Sequence, residues 1–270
     1  MRNALAIARK ELSIYFTTPW AWVVFTAMAV LSSFFFIQNL GQFAQVQEMA
    51  KAMTWGRVMQ MYPQAEAFKN LTDGVLVPLV NVLLVIMLFM APFLSMRLFA
   101  EEKKQRTMEL LLTTPIRTSE VVIGKYLGGL GVVTATLLVT MIYPVILAIF
   151  GASESGTALE WSTVLLGYGA LWLFGATCMG IGMLMSSLTE SQMLAAVLTF
   201  AVLLPWLFLQ SVGMRAEEPY RSAINYISFS TQLENMMKGV LDLKAIVFFA
   251  TIIIFALFAT HRAVESQRWT

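Results

Sequence analysis

Along this chain the hydrophobic positions gather into six long runs, at 20–37, 75–96, 127–150, 164–185, 192–212 and 245–260. None contains Asp, Glu, Lys, Arg or His. Five are 18–24 residues long, close to the roughly 20 needed to cross a hydrocarbon core about 30 Å thick. The sixth has 16 residues, but Lys244 and Arg262 flank it and can extend their stems toward the headgroups. The runs are continuous rather than alternating. That predicts helices and not a barrel, because inside lipid every backbone N–H and C=O needs an internal partner. The expected fold class is an all-α integral membrane protein with six transmembrane helices.

Residues 1–19 follow a different pattern. Leu5, Ala8, Leu12, Tyr15 and Phe16 share one helical face, with Arg2, Arg9, Lys10 and Ser13 elsewhere. This predicts an N-terminal amphipathic helix lying along the interface before the first span, with Arg9, Lys10 and Glu11 as its polar markers. No cleavable signal peptide is expected, since the first apolar run starts only after this charged segment.

Composition agrees with the bilayer as solvent. Hydrophobic residues make up 58% of the 270 and charged ones 13%, against about 45–50% and about 25% in soluble proteins. A formal net charge of +2 gives no argument for nucleic acid. A single cysteine, Cys178, excludes an intramolecular disulfide framework, and a single histidine, His261, removes most histidine-based metal or acid–base chemistry. With six spans the termini share a side. That side, with loops 97–126 and 186–191, holds 11 Lys and Arg in 65 residues, against 7 in 82 on the other. The denser side is expected to be cytoplasmic.

The 97–126 loop is the most informative stretch. Glu101, Glu102, Glu109 and Glu120 mix with Lys103, Lys104 and Arg106, so it is no simple basic patch for anionic lipid. Mixed charge followed by Met108, Leu110, Leu111 and Leu112, closed by Pro115, suits a short helix that docks into a protein cleft. A solvated loop with a lipid-facing apolar edge fits the same residues. In the docking reading Glu102, Arg106 and Glu109 orient the helix, while Met108, Leu111 and Leu112 fill a groove.

The order Glu101, Thr107, Glu109, Leu111, Leu112, Pro115 resembles the signature of ABC-2-type transporter permeases, with either Glu101 or Glu102 as its first glutamate. Ser119-Glu120 through Gly124-Lys125-Tyr126, Ser186-Ser187-Leu188-Thr189, and Gln232 through Gly239-Val240-Leu241-Asp242 are similar to further family stretches. The resemblance covers nearly the whole chain and is strongest to gliding-motility-associated and nitrous-oxide-reductase-maturation permeases. It implies a type V exporter-like architecture: a single permease domain that pairs with a second protomer, identical or paralogous, and recruits a cytoplasmic ABC ATPase. It further implies an inner (plasma) membrane location and a coupling helix over 101–115. An outer re-entrant gate is implied within 213–244, where Tyr226, Phe229, Met236 and Gly239 are the candidate residues. Gliding-type relatives also imply an accessory subunit with an outer domain. They leave open a non-transporting anchor that couples an ATPase to an envelope machine.

The residues themselves place ATP and Mg on a partner and no cofactor on this chain. A phosphate-cradling loop needs Gly-x-x-x-x-Gly-Lys-Ser/Thr; Gly124-Lys125 is followed by Tyr126, and position 119 is Ser. No catalytic residues are expected. Glu101-Glu102 with Arg106 also resembles an intramembrane protease motif, but the histidines such chemistry needs are missing. Met49, Met53, Met59, Met61, Met236 and Met237 are soft donors suited to Cu(I). Phe43, Val46, Met49, Ala50 and Met53 sit at helical spacing, which instead favours the apolar face of an outer helix, and no metal site is predicted. Small residues four apart, as in Gly124/Gly128 and Gly182/Ser186, predict close helix packing within the protomer.

Overall fold

The computed structural model describes residues 2–53, 55–61, 65–107, 116–151 and 159–267. Among them all regular structure is helical. An interfacial helix, Arg2–Thr17, is followed after Thr18 by the first span helix, Pro19–Ala52. Proline at the start of that helix costs nothing, because the N–H it lacks would have no intrahelical partner there. The short helix Trp55–Met61, a 3₁₀ turn at Ala65–Lys69 and a π turn at Thr72–Leu76 lead into the second span, Val77–Ser95, which continues as Arg97–Lys104. The third span comprises Thr118–Thr140, Ile142–Ile146 and a π turn at Leu147–Gly151. Trp161–Leu188 and Gln192–Gly213 are the fourth and fifth. Two short helices, Tyr220–Ile227 and Phe229–Met237, precede the sixth, Leu243–Ser266. Among the described residues six helices are long and apolar enough to cross a membrane.

The helices outrun the apolar runs. Residues 38–52 extend the first span instead of forming a loop, 97–104 extend the second, and the sixth helix has 24 residues where the run has 16. A run ends at the first charge, whereas a helix ends where its backbone loses partners. The polar ends therefore stay helical beyond the apolar runs.

The fourth span is the most buried and the fifth and sixth the least. Its small residues set the approach of its neighbours. A Cβ at Gly175 would lie 2.7 Å from both Met87 Sδ and Val133 Cγ1, and one at Gly182 would lie 1.9 Å from Ser95 Oγ. The spans also repair their own breaks. Pro144 cannot donate to the Thr140 carbonyl four residues earlier; the buried Tyr168 hydroxyl donates to that oxygen at 2.8 Å. The second span breaks at Met96, which leaves the first N–H groups of the Arg97–Lys104 helix unsatisfied by its own turns. Phe99 N and Ala100 N donate to Ser186 Oγ at 3.1 and 3.0 Å, and that hydroxyl donates to Met96 O at 2.8 Å. One serine thus fixes the direction in which the second span leaves the bundle.

The interfacial helix departs from the expected face. Leu5 and Phe16 are exposed, while Ala4, Glu11 and Tyr15 are buried against the third span and the base of the second, with Ile7, Ala8 and Leu12 half-buried. The helix has two apolar surfaces, one against protein and one open. A single periodicity over 16 residues merges them.

Two outcomes follow from this packing. Gly182→Val should lower the thermal midpoint of the detergent-purified protein, with an overpacking cost of about 1–3 kcal/mol. Gly169→Ala, where a Cβ meets nothing within 4 Å, should leave the midpoint unchanged or raise it, the helix gaining about 0.5–1 kcal/mol. Ser186→Ala orphans the Phe99 and Ala100 N–H groups and should cost about 1–3 kcal/mol, with faster amide exchange across 97–104. Ser187→Ala should do far less, since among the described residues its hydroxyl bonds only Leu184 O of its own helix.

Candidate functional site

At the end of the bundle that holds both termini, three elements meet around one lysine. The third span presents Gly124, Gly128 and Gly131 toward the interfacial helix. Cβ atoms there would lie 2.8 Å from Ala4 O, 2.7 Å from Glu11 Cβ and 2.9 Å from Leu12 Cδ1. With no side chains between them, the two helices lie close enough for Glu11 to reach Lys125, one residue past Gly124. Lys125 Nζ sits 2.8 Å from Glu11 Oε1 and 2.9 Å from Glu102 Oε1, and is 5.3 Å from the centre of the Phe99 ring. Its side chain is 2% exposed, those of Glu11 and Glu102 10% and 16%.

Glu102 arrives on the Arg97–Lys104 extension that Ser186 holds in place. On the same extension Arg97 grips Glu101 with two hydrogen bonds, Nε to Oε2 at 2.8 Å and Nη2 to Oε1 at 3.2 Å. Lys103 Nζ donates to Ser187 O, so the 186–189 turn anchors the extension at a second point. One turn beyond Glu11, the Tyr15 hydroxyl donates to Leu94 O at the foot of the second span. Burial pushes the Tyr15 phenol well above its ordinary range, which keeps it a donor. A cleft of about 440 Å³ opens beside the cluster, lined in part by Lys10, Tyr15, Arg97 and Glu101. Glu102 Oε2 is buried there with no hydrogen-bond partner among the described residues.

Buried ions persist only when paired, because each loses several kcal/mol of hydration. Here one ammonium between two carboxylates, with the π-face of Phe99 nearby, meets that condition. The effect of this arrangement is to fix three helices at one atom.

Of the sequence candidates, Glu101 and Glu102 come together with Glu11 in this cluster, while Arg9 and Lys10 are exposed on the interfacial helix. Glu102 turns inward to Lys125 rather than outward. The extension ends at Gln105, and Arg106 takes a left-handed backbone at φ 54° with Thr107 exposed beside it. Met108, Glu109, Leu111, Leu112 and Pro115 lie outside the described residues. In the sequence Lys125 stands in a motif stretch and in a Gly-Lys pair that is no phosphate loop, and Ser186 in a motif stretch and in the small pair Gly182/Ser186; neither pattern points to the ion cluster or to the helix start that the two residues serve. The usable signal for Lys125 was a lone cation between Gly124 and Gly128, on a face stripped of side chains.

At the opposite end, the expected gate residues separate. Phe229 and Met236 are buried in the core, and Tyr226 is exposed. The Phe229 ring lies 4.3 Å from that of Trp206, 5.4 Å from Phe249 and 5.8 Å from Phe174, so it joins three spans. Gly239 ends the second short helix at φ 82°, against Thr163, where a Cβ would sit 2.4 Å from Oγ1. Asp242 then caps the sixth span by accepting from Lys244 N and from Asn235 Nδ2, both at 2.9 Å. The Asn235 amide holds its carboxyl below the ordinary range. Met236 and Met237 belong to the core. Among the described residues no three His, Cys, Asp or Glu side chains gather as a metal site.

No curated protein matches the chain significantly. The family model described as "ABC-2 family transporter protein" matches residues 5–259. That match takes in the first five apolar helices, most of the sixth, the ion cluster and the short-helix pair, and the chain therefore belongs to the ABC-2 family of transporter proteins, as a multi-pass membrane permease.

Proposed function

We propose that the chain is the transmembrane subunit of an ATP-driven transporter of the inner (plasma) membrane, with both termini cytoplasmic. It pairs with a second permease protomer and docks a separate ABC ATPase through 101–115. The observation that supports this best is the course of the second span. Its helix leaves the bundle at Met96 and is held by Ser186. It carries Glu101 and Glu102 to the interfacial helix and ends at Gln105, so that the chain runs on toward the docking segment from an anchored base. The Gly124-Lys125 pair lies within a helix, with the ammonium already bound by two carboxylates. It is therefore not available to a nucleotide phosphate, which supports ATP binding by the partner.

The first and fifth spans expose Trp22, Val30, Phe34, Met193, Val197 and Phe208, apolar surface that suits a second protomer as well as lipid. Crosslinking in native membranes should give a dimer. Finding monomers alone, with and without the ATPase, would contradict pairing. Orientation is checked by a cysteine at position 104 in a Cys178-replaced chain. It should resist an impermeant reagent applied from outside.

Docking has a sharper test. Leu111→Asp should remove the ATPase from the co-purified complex while the permease remains inserted, because a leucine lost from a protein groove costs about 2 kcal/mol or more. Arg106→Glu, at an exposed rim position, should weaken association by no more than about 1 kcal/mol and in a salt-dependent way. Full ATPase recovery with Leu111→Asp would show that another element makes the contact.

A further inference from the structure

Among the described residues Lys125 and Glu11 are the only Lys, Arg, Asp or Glu side chains in the buried core. The glycines at 124, 128 and 131 already let the interfacial helix and the third span pack at close range, so adhesion between the two gains little from a costly ion cluster. What the ions add is a common point. Apolar surfaces in contact can slide by a residue or rotate. An ammonium held by carboxylates from two other elements, at 2.8 and 2.9 Å, loses one pairing if either of those elements moves alone and both if the third span does. The surroundings strengthen that constraint, since charges shielded from water attract more strongly than at the surface. Tyr15 to Leu94 O ties the interfacial helix directly to the second span, and Arg97 to Glu101 stiffens the extension that carries Glu102.

We propose that Lys125 is a positioning residue: with Glu11 and Glu102 it fastens the interfacial helix, the base of the second span and the start of the third into one body. Movement delivered at 107–115 then turns all three together and is carried into the membrane. This deepens the ATPase-docking reading and rests on it for the source of movement. The fastening itself stands on the geometry of this chain alone.

Two readouts separate the claims. The first uses the full-length chain in nanodiscs without ATPase and measures amide exchange across the interfacial helix. Lys125→Met should speed it at least tenfold, and Lys125→Arg should recover most of the protection. Since Lys125→Met strands two carboxylates, the neutral triple variant Glu11→Gln, Glu102→Gln, Lys125→Met is measured beside it and should also lose protection while keeping the six-span fold. The second uses the ATPase-bound complex, with a fluorophore on a cysteine at exposed position 226 in a Cys178-replaced chain, and records the signal change on adding Mg-ATP. The triple variant should keep its ATPase but lose at least five-fold in amplitude. A disulfide between Leu12→Cys and Gly131→Cys should restore it. Leu12 Cγ, the place of the new sulfur, lies 3.9 Å from the Gly131 Cβ position. Unchanged exchange in both charge variants overturns the fastening. A full signal in the triple variant, no rescue by the disulfide, or no signal in the unmodified complex overturns its role in transmission. Failure of any ATPase to co-purify counts against the docking reading and leaves the exchange result to decide the fastening.

Discussion

An ammonium cannot rest at the edge of a hydrocarbon bundle without opposite charge, and Lys125 meets that requirement with carboxylates from two other helices. The rest of the end that holds the termini is arranged around this necessity. Gly124 and Gly128 bring the interfacial helix near enough for Glu11 to serve. The break at Met96 redirects the second span so that Glu102 can serve. Ser186 makes the break tolerable by occupying the N–H groups it exposes. Remove any one of these and the others lose their purpose. Sequence features 87 residues apart, such as Phe99 and Ser186, are therefore parts of one local device.

The same logic of satisfied breaks recurs through the bundle. Tyr168 serves the carbonyl freed by Pro144, and Gly239 with Asp242 turns the chain from the short helices into the sixth span. These are places where a helix departs from regularity inside or beside lipid, and each departure has a named partner. Phe229 acts in the same way by packing. It ties the short-helix pair to the fourth, fifth and sixth spans through Phe174, Trp206 and Phe249. The bundle thus has a polar anchor at one end and an aromatic one at the other. This distribution suits a permease whose two ends must answer to each other.

How much of this could be read in advance depended on whether the signal was local. Six apolar runs gave six spans because length and composition suffice. Helical character over 43–53 and 101–104 is legible in spacing and motif, but the continuity of 38–52 and 97–104 with the first two spans is not, since they are too polar to join a hydrophobic run yet lose no backbone partner by remaining helical. The interfacial helix was legible as an element. Its orientation was not, because Glu11 and Tyr15 face protein and Leu5 faces outward, which no single hydrophobic face describes. Glu101 and Glu102 stood out by motif. Lys125 did not, for its meaning lies in partners 114 and 23 positions away. A glycine-cleared helix face with one cation is a weak signal until the helix that covers it is known. Order of motifs, which is one-dimensional, was the part of the family resemblance that the sequence could carry.

The central claim is that the base of this permease moves as one ion-pinned body driven by an ATPase. Cryo-electron microscopy of the full assembly in nanodiscs, without nucleotide and with Mg-ATP trapped, tests it most directly. The account predicts the ATPase seated on 107–115, Lys125 within hydrogen-bonding distance of both Glu11 and Glu102 in each state, and the interfacial helix displaced together with the feet of the second and third spans. A state in which Lys125 has parted from either carboxylate while the ATPase stays bound would contradict it, as would an ATPase seated on a different element.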